Sequence, residues 1–345
     1  MDIDAKKWLS GMSPAELGTV AADAGLRPFA ARQIADWLYK KRAADIAAMT
    51  NLSLAARRRL DELGYTAGRI EPCEVQVSKD GTKKYLFATL GGRYIESVYI
   101  PDGERATLCV SSQAGCRMGC RFCMTGRQGL QHHLTAGEIV NQVLAVPESE
   151  RLTNIVFMGM GEPMDNLENV LRAVDILTSD WGLGWSPTRI TVSTIGVIPA
   201  MERLLRETKV HLAVSLHDPF DEERRELMPV QNKYPIREVT AALRNFDFSH
   251  QRRLSFEYIV FGGVNDSPRH VEGLVRLLKG LDCRINLIRF HAIPDSPLKG
   301  ASPERIRWMN GALNAAGITT TTRSSRGEDI LAACGLLSTQ SHNRR

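Results

Sequence analysis

Long apolar runs are missing from this sequence. Nowhere in its 345 residues does a hydrophobic stretch approach the roughly 20 residues that span a bilayer, and the N-terminus, MDIDAKKWLSGMS, lacks a basic-then-apolar leader. A membrane or exported protein is therefore not expected, and the cytoplasm is the expected compartment. A strong charge excess is missing too: 44 Lys and Arg against 39 Asp and Glu leave +5, a lean towards polyanionic partners without the bias of a dedicated nucleic-acid binder. Seven cysteines are too few for a disulfide framework, and no solenoid repeat is visible. What is there, 43% hydrophobic and 24% charged residues, excludes a disordered or fibrous chain and is enough for one large domain with a small companion.

The first sixty or so residues pattern as short helices. Ser13-Pro14-Ala15-Glu16 combines a capping serine, a proline at the first helical position and a glutamate three residues after the cap, with Gly25 as the stop. A second helix is predicted to carry Ile34, Trp37 and Leu38 on one face, and a third to run from Ser53 to Gly64. The basic runs Lys40-Lys41-Arg42 and Arg57-Arg58-Arg59 are either solvated helix faces or a phosphate-contacting surface. From about residue 69, KKYLFATL and RYIESVYIP, set off by Asp80-Gly81 and Gly91-Gly92, predict a small antiparallel lead-in.

After Cys109 the chain alternates strand and helix. TLCVS, TNIVFMG, RITVS, VHLAVSLH, RLSFEYIVF and CRINLIRF are each followed by a helical stretch, and ITTTTR closes the series. Such alternation predicts an α/β fold of parallel βα units, too few for eight, hence a partial, open barrel of about six. The expected organisation is a helical unit over 1–65, the β-rich lead-in over 66–101, the barrel over 102–337 and a flexible tail over 338–345.

Cys116, Cys120 and Cys123 supply three thiolates from one tight loop after a strand. Three ligands hold a 4Fe-4S cluster at three irons and leave the fourth iron open, whereas structural zinc sites are closed by four. Completion of a zinc site by His132 or His133 would need a spacing unlike the common zinc modules.

This CxxxCxxC spacing, with Phe122 before the last cysteine, resembles the radical S-adenosylmethionine superfamily. The segments TLCVSSQAGC, GMGEPMDN, RITVSTIGVIP, SLHDPF, RRLSFEYIVFGGVND, CRINLIRF and RGEDILAACG, with DWLYKKR and MTNLS near the N-terminus, resemble in order the RlmN/Cfr family of RNA methyltransferases. That resemblance implies methylation of carbon 2 of an adenine in large-subunit ribosomal RNA and in transfer RNA. This carbon is electron-poor and cannot attack a methyl sulfonium, so the chemistry needs a radical route and two S-adenosylmethionine molecules per turnover. Carbon 8 methylation, as in Cfr, uses the same catalytic motifs. A non-catalytic iron-sulfur RNA-binding protein is the reading from another class, and the open three-cysteine loop speaks against it.

The resemblance also implies roles. Cys334 carries the methyl group, Cys109 forms a transient disulfide with it, and Glu96 removes the proton from the adenine. Gly161, Glu162, Ser193, Ser215, Leu216 and His217 occupy cofactor positions. His291 stands in NLIRFHAIP, where many relatives have asparagine. A monomer and a flavodoxin-type electron donor are further expectations. By residue type alone the bland alternatives are buried packing for Cys109, Cys334, Cys73 and Cys283, and a solvent-facing carboxylate for Glu96.

Overall fold

A computed structural model describes residues 6–249, 254–333 and 335–339. At the N-terminus a short strand β1 (Lys7–Trp8) leads into α1 (Pro14–Asp23), which starts with the full capping box of Ser13 and Glu16. Helix α2 (Ala30–Ala35) widens into one π turn at Asp36–Lys40, closed by Lys41 N–H donating to the Asp36 carbonyl (2.9 Å). The wider turn buries Ile34, Leu38 and Tyr39 but leaves Trp37 half-buried, its ring under the Lys41 ammonium at 4.0 Å. Trp37 therefore departs from the single buried face that regular helical spacing predicts. Helix α3 (Leu54–Glu62) is capped by Ser53, and β2 (Tyr65–Thr66) returns to pair in parallel with β1.

Strands β3 (Glu74–Val77), β4 (Lys83–Ala88) and β5 (Tyr94–Asp102) form the antiparallel lead-in, and β5 pairs antiparallel with β6 (Arg105–Cys109), the first strand of the barrel. Next come β7 (Gln113–Ala114), α4 (Met124–Gln128) and β8 (His132–His133); β7 and β8 pair antiparallel and pinch the cysteine loop shut. The rest is alternation: α5 (Ala136–Ala145), β9 (Asn154–Phe157), α6 (Leu167–Thr178), β10 (Ile190–Thr194), α7 (Ile198–Glu207), β11 (His211–Ser215), α8 (Asp221–Leu227), α9 (Ile236–Leu243), β12 (Leu254–Val260), α10 (Pro268–Leu278), β13 (Cys283–Arg289), α11 (Pro303–Ala315) and β14 (Thr319–Arg323).

Lead-in and barrel are one ten-stranded sheet, ordered β14-β13-β12-β11-β10-β9-β6-β5-β4-β3. Six βα units run from β6 to α11 as the alternation predicts, and β14 adds a seventh parallel strand. All seven residues of β12 are buried, as expected of a strand covered on both faces. The N-terminal helices share the barrel's core: Leu17, Ile34 and Leu60 belong to the same buried cluster as Ile155, Val192, Leu212 and Phe256. Arg42 is not a solvated basic side chain but donates to Ser149 Oγ (3.0 Å), while Lys40 and Lys41 are exposed beside Asp36. Cys283 is buried packing; Cys73 is exposed, its thiol donating to the Leu86 carbonyl, because β3 lies at the sheet edge.

Gly115, just before Cys116, sits at φ +73°, and a Cβ there would fall 1.7 Å from the Gly129 carbonyl oxygen, which accepts from Cys116 N–H (3.1 Å). Gly25 has a similar φ of +68° but open space around it. Gly25→Ala should therefore cost only the left-handed backbone penalty, about 1–2 kcal/mol, whereas Gly115→Ala should cost more and lower iron retention. Denaturation curves with iron analysis test this; equal losses would show that the loop closure does not need the glycine.

Candidate active site

The C-terminal ends of the parallel strands surround a cavity of about 150 Å³ lined by Cys116, Cys120 and Cys123 together with Phe122, Glu162, Ser193, Ser215, His217, Glu257 and Gly335. Burial pushes the Cys116 thiol up to about 12, and burial beside the other two cysteines also raises Cys120 well above the usual thiol range. Thiols in such a place become thiolates only when a metal supplies positive charge, so the donor set suits an iron cluster. His132 instead meets Glu138 (3.3 Å) and His133 meets Gln113 (3.1 Å); neither lines the cavity, so neither closes a zinc site.

Arg224 organises the cavity wall. Its side chain is fully buried, and it donates to the carbonyls of Leu216 (2.9 Å), Ile195 (3.0 Å) and Ser215 (3.1 Å) and to Gln231 Oε1 (2.6 Å). Burial pulls it down to about 10, still cationic at neutral pH, and its charge favours the Cys120 thiolate. Leu216 contributes through its backbone, because its side chain is buried in the core away from the cavity.

Glu162 accepts from Thr194 Oγ1 (2.6 Å), Ile195 N–H (3.0 Å) and Met164 N–H (3.1 Å), and burial nevertheless pushes it up to about 7. A carboxylate has about four lone-pair sites, so one is left for a ligand amino group. Gly161 has φ +102°, and a Cβ there would fall 2.6 Å from Gln113 Cβ. The close approach that requires glycine is thus to Gln113, whose Oε1 accepts from Glu162 N–H (2.8 Å). His217, at the left-handed φ of +58°, accepts from Ile259 N–H through Nδ1 (3.0 Å) and meets Phe122 edge-on at 4.8 Å. Burial pushes it down to about 3, so it is neutral and its proton is on Nε2.

Glu257 and Arg224 escaped the sequence reasoning. A lone carboxylate within the apolar run LSFEYIVF was the available signal for Glu257. Its Oε2 is buried without a hydrogen-bond partner among the described residues, with Arg323 Nη1 3.9 Å away, and Glu257 lines the same cavity. Nothing in DEERREL singles out Arg224 among charged neighbours.

His291 lies elsewhere. It lines an adjoining cavity of about 360 Å³ and pairs through Nε2 with Ser325 Oγ (2.8 Å). Glu96 is not solvent-facing: only 4% exposed, it meets Lys84 Nζ at 3.0 Å and accepts from Ser338 N–H (2.9 Å). Cys109 is buried on β6 and lines neither cavity. Cys334 lies outside the described residues. Its neighbours Ala333 and Gly335 line the larger and the smaller cavity respectively. The Gly335 and Leu337 carbonyls accept from Met124 N–H (2.8 Å) and Thr125 Oγ1 (2.7 Å), tying this segment to the helix that follows Cys123.

No helix among the described residues is long and apolar enough to cross a membrane. Residues 110–278 match the radical SAM superfamily, and residues 8–65 match the ribosomal RNA large subunit methyltransferase N-terminal domain. The chain is 54% identical to a probable dual-specificity RNA methyltransferase RlmN of Parabacteroides distasonis, over 97% of each chain. It is 46% identical to the dual-specificity RNA methyltransferase RlmN of Syntrophus aciditrophicus, over 95% of each. A radical SAM methyltransferase from Sphaerobacter thermophilus superposes with a TM-score of 0.90 at 44% identity, covering 96% of this chain and 98% of that one. With its thiol loop, the carboxylate at Glu162 and near full-length likeness to these proteins, the chain belongs to the RlmN family of radical SAM RNA methyltransferases.

Proposed function

We propose that this protein methylates carbon 2 of an adenine in large-subunit ribosomal RNA and in transfer RNA, consuming two S-adenosylmethionine molecules per turnover. The observation that carries the proposal is the union, in one chain, of the ribosomal RNA methyltransferase N-terminal domain with a radical SAM barrel whose three thiols share a cavity. Cys116, Cys120 and Cys123 hold a 4Fe-4S cluster, and Glu162, Ser193, Ser215 and His217 frame S-adenosylmethionine, Glu162 taking its amino group. When bound, the reduced cluster supplies the electron that cleaves the sulfonium and starts hydrogen abstraction.

Cys334 accepts the methyl group. Once that carbon has bonded to the adenine and the adduct has given up one electron, Cys109 as thiolate attacks the Cys334 sulfur. The S–C bond breaks with its electron pair going to the carbon, which takes up a proton to become the methyl group, and a disulfide remains. Glu96 removes the adenine proton. Its pairing with Lys84 offsets the cost of burying the carboxylate, and its bond to Ser338 links the base to the segment that carries Cys334. The larger cavity suits a nucleotide: Arg105, Arg284, Arg323 and Arg326 line it, and it shares Met158, Glu257, Ile288 and Arg323 with the cofactor cavity. His291 belongs to that nucleotide side, a different role from a cofactor contact. Residues 1–65 form the RNA-docking unit, with Lys40, Lys41, Arg58 and Arg59 exposed for phosphate contact. The protein acts as a monomer, reduced by a flavodoxin-type donor.

Anaerobic incubation of cluster-loaded protein with reductant, S-adenosylmethionine and protein-free ribosomal RNA, followed by nucleoside mass spectrometry, should give 2-methyladenosine, and Cys334→Ala should give none. Formation of 8-methyladenosine would overturn the assigned carbon. Because Glu162 is neutral below about 7 and anionic above it, the wild-type advantage over Glu162→Gln in S-adenosylmethionine affinity should widen between pH 6 and 8. It should reach about tenfold, the value of one charge-assisted hydrogen bond. Calorimetric titration at the two pH values reads this, and a constant ratio would remove Glu162 from the amino-group site.

A further inference from the structure

One cluster of ligand-type side chains lies outside this chemistry. Asp218 follows His217 after β11, Glu223 is in the first turn of α8, and His270 is in the first turn of α10. One ligand atom from each lies within 4.8 Å of the others. His270 Nε2 is 2.7 Å from Glu223 Oε2 and 3.6 Å from Asp218 Oδ2.

The informative atom is Asp218 Oδ2. Asp218 is fully buried, and its Oδ1 accepts from Phe220 N–H (2.8 Å), but Oδ2 has no hydrogen-bond partner among the described residues and faces His270. A carboxylate oxygen cut off from water without a donor is costly, and a cation supplies what is missing. The surroundings are already those of a ligand set. His270 Nδ1 accepts from Ser267 N–H (3.4 Å), with Ser267 Oγ 2.6 Å away, so Nε2 carries the proton towards Glu223 Oε2 (2.7 Å), and a metal ion would displace that proton to take Nε2 as its ligand. Glu223 Oε1 is held by Arg269, whose guanidinium stacks 3.7 Å from the Phe220 ring centroid, and this leaves Oε2 directed at His270. Tetrahedral zinc with bonds of about 2.0–2.2 Å separates its ligand atoms by about 3.3 Å, between the two distances found here.

We propose that Asp218, Glu223 and His270 form a second metal site, for a divalent ion of the zinc class, with its fourth position open to water. One imidazole and two carboxylates form a mixed nitrogen and oxygen set that zinc accepts and that iron-sulfur chemistry does not use. The ion would clamp the loop that carries His217 to the start of α10. This inference is independent of the RNA reaction.

The test uses protein carrying its iron cluster, so that the three cysteines are occupied, dialysed anaerobically against micromolar zinc sulfate and analysed for zinc and iron together. Wild type should retain one more zinc per chain than Asp218→Asn or His270→Ala at equal iron, and zinc should raise its melting temperature but not theirs. Glu223→Gln, isosteric and half-exposed on its helix, should weaken zinc binding at least tenfold without unfolding the protein. No excess zinc in wild type, no zinc-dependent rise in its melting temperature, or equal retention by all variants would overturn the site.

Discussion

A buried guanidinium holds the working edge of this protein together. Arg224 sits at the ends of β10 and β11, where its donors are taken by three backbone carbonyls and Gln231. A charge so far from water is tolerable only when nearly every donor is matched. Those carbonyls belong to residues 195, 215 and 216, so satisfying the arginine also fixes the turns that present Ser193, Ser215 and His217. Its positive charge lies beside Cys120, where the three thiols of the loop gather.

The cysteine loop shows the same economy. Its outer ends are pinned by the β7–β8 pair, and its far side is tied to residues 335–339 through Met124, Thr125 and Gln128. The C-terminal segment on either side of Cys334 therefore borders both the thiol-lined cavity and the larger cavity, and Glu96 reaches it from β5 through Ser338. The proposed passage of one carbon between cofactor, Cys334 and Glu96 would need these three places to be neighbours, because a reactive carbon cannot diffuse without losing its partner.

Two buried carboxylates show how environment assigns work. Glu96 meets Lys84 and is balanced within the protein. Glu162, at the cavity wall, receives only neutral donors and is pushed up to about 7 by burial. A carboxylate kept near its ionisation point beside a ligand space is poised to respond to what binds there. Asp218 Oδ2 and Glu257 Oε2 make the same point through missing hydrogen bonds. Buried polar atoms without a hydrogen-bond donor among the described residues mark where a ligand could add one.

Local chemistry determined much of this protein from its sequence alone. The Ser13 capping box, the six βα units and the three-cysteine loop depend on residues a few positions apart, so they are legible in the sequence itself. Tertiary structure decided what depends on strand order and depth. It buried Glu96 against Lys84, gave Gly161 to Gln113 rather than to a ligand, kept only the backbone of Leu216 near the site and moved His291 to the neighbouring cavity. It also exposed Cys73 at a sheet edge and brought Asp218, Glu223 and His270 to one point. The physical reason is one of range. Periodicity and caps act within a few turns of chain, whereas burial and convergence are settled only when a ten-stranded sheet brings together residues far apart in sequence.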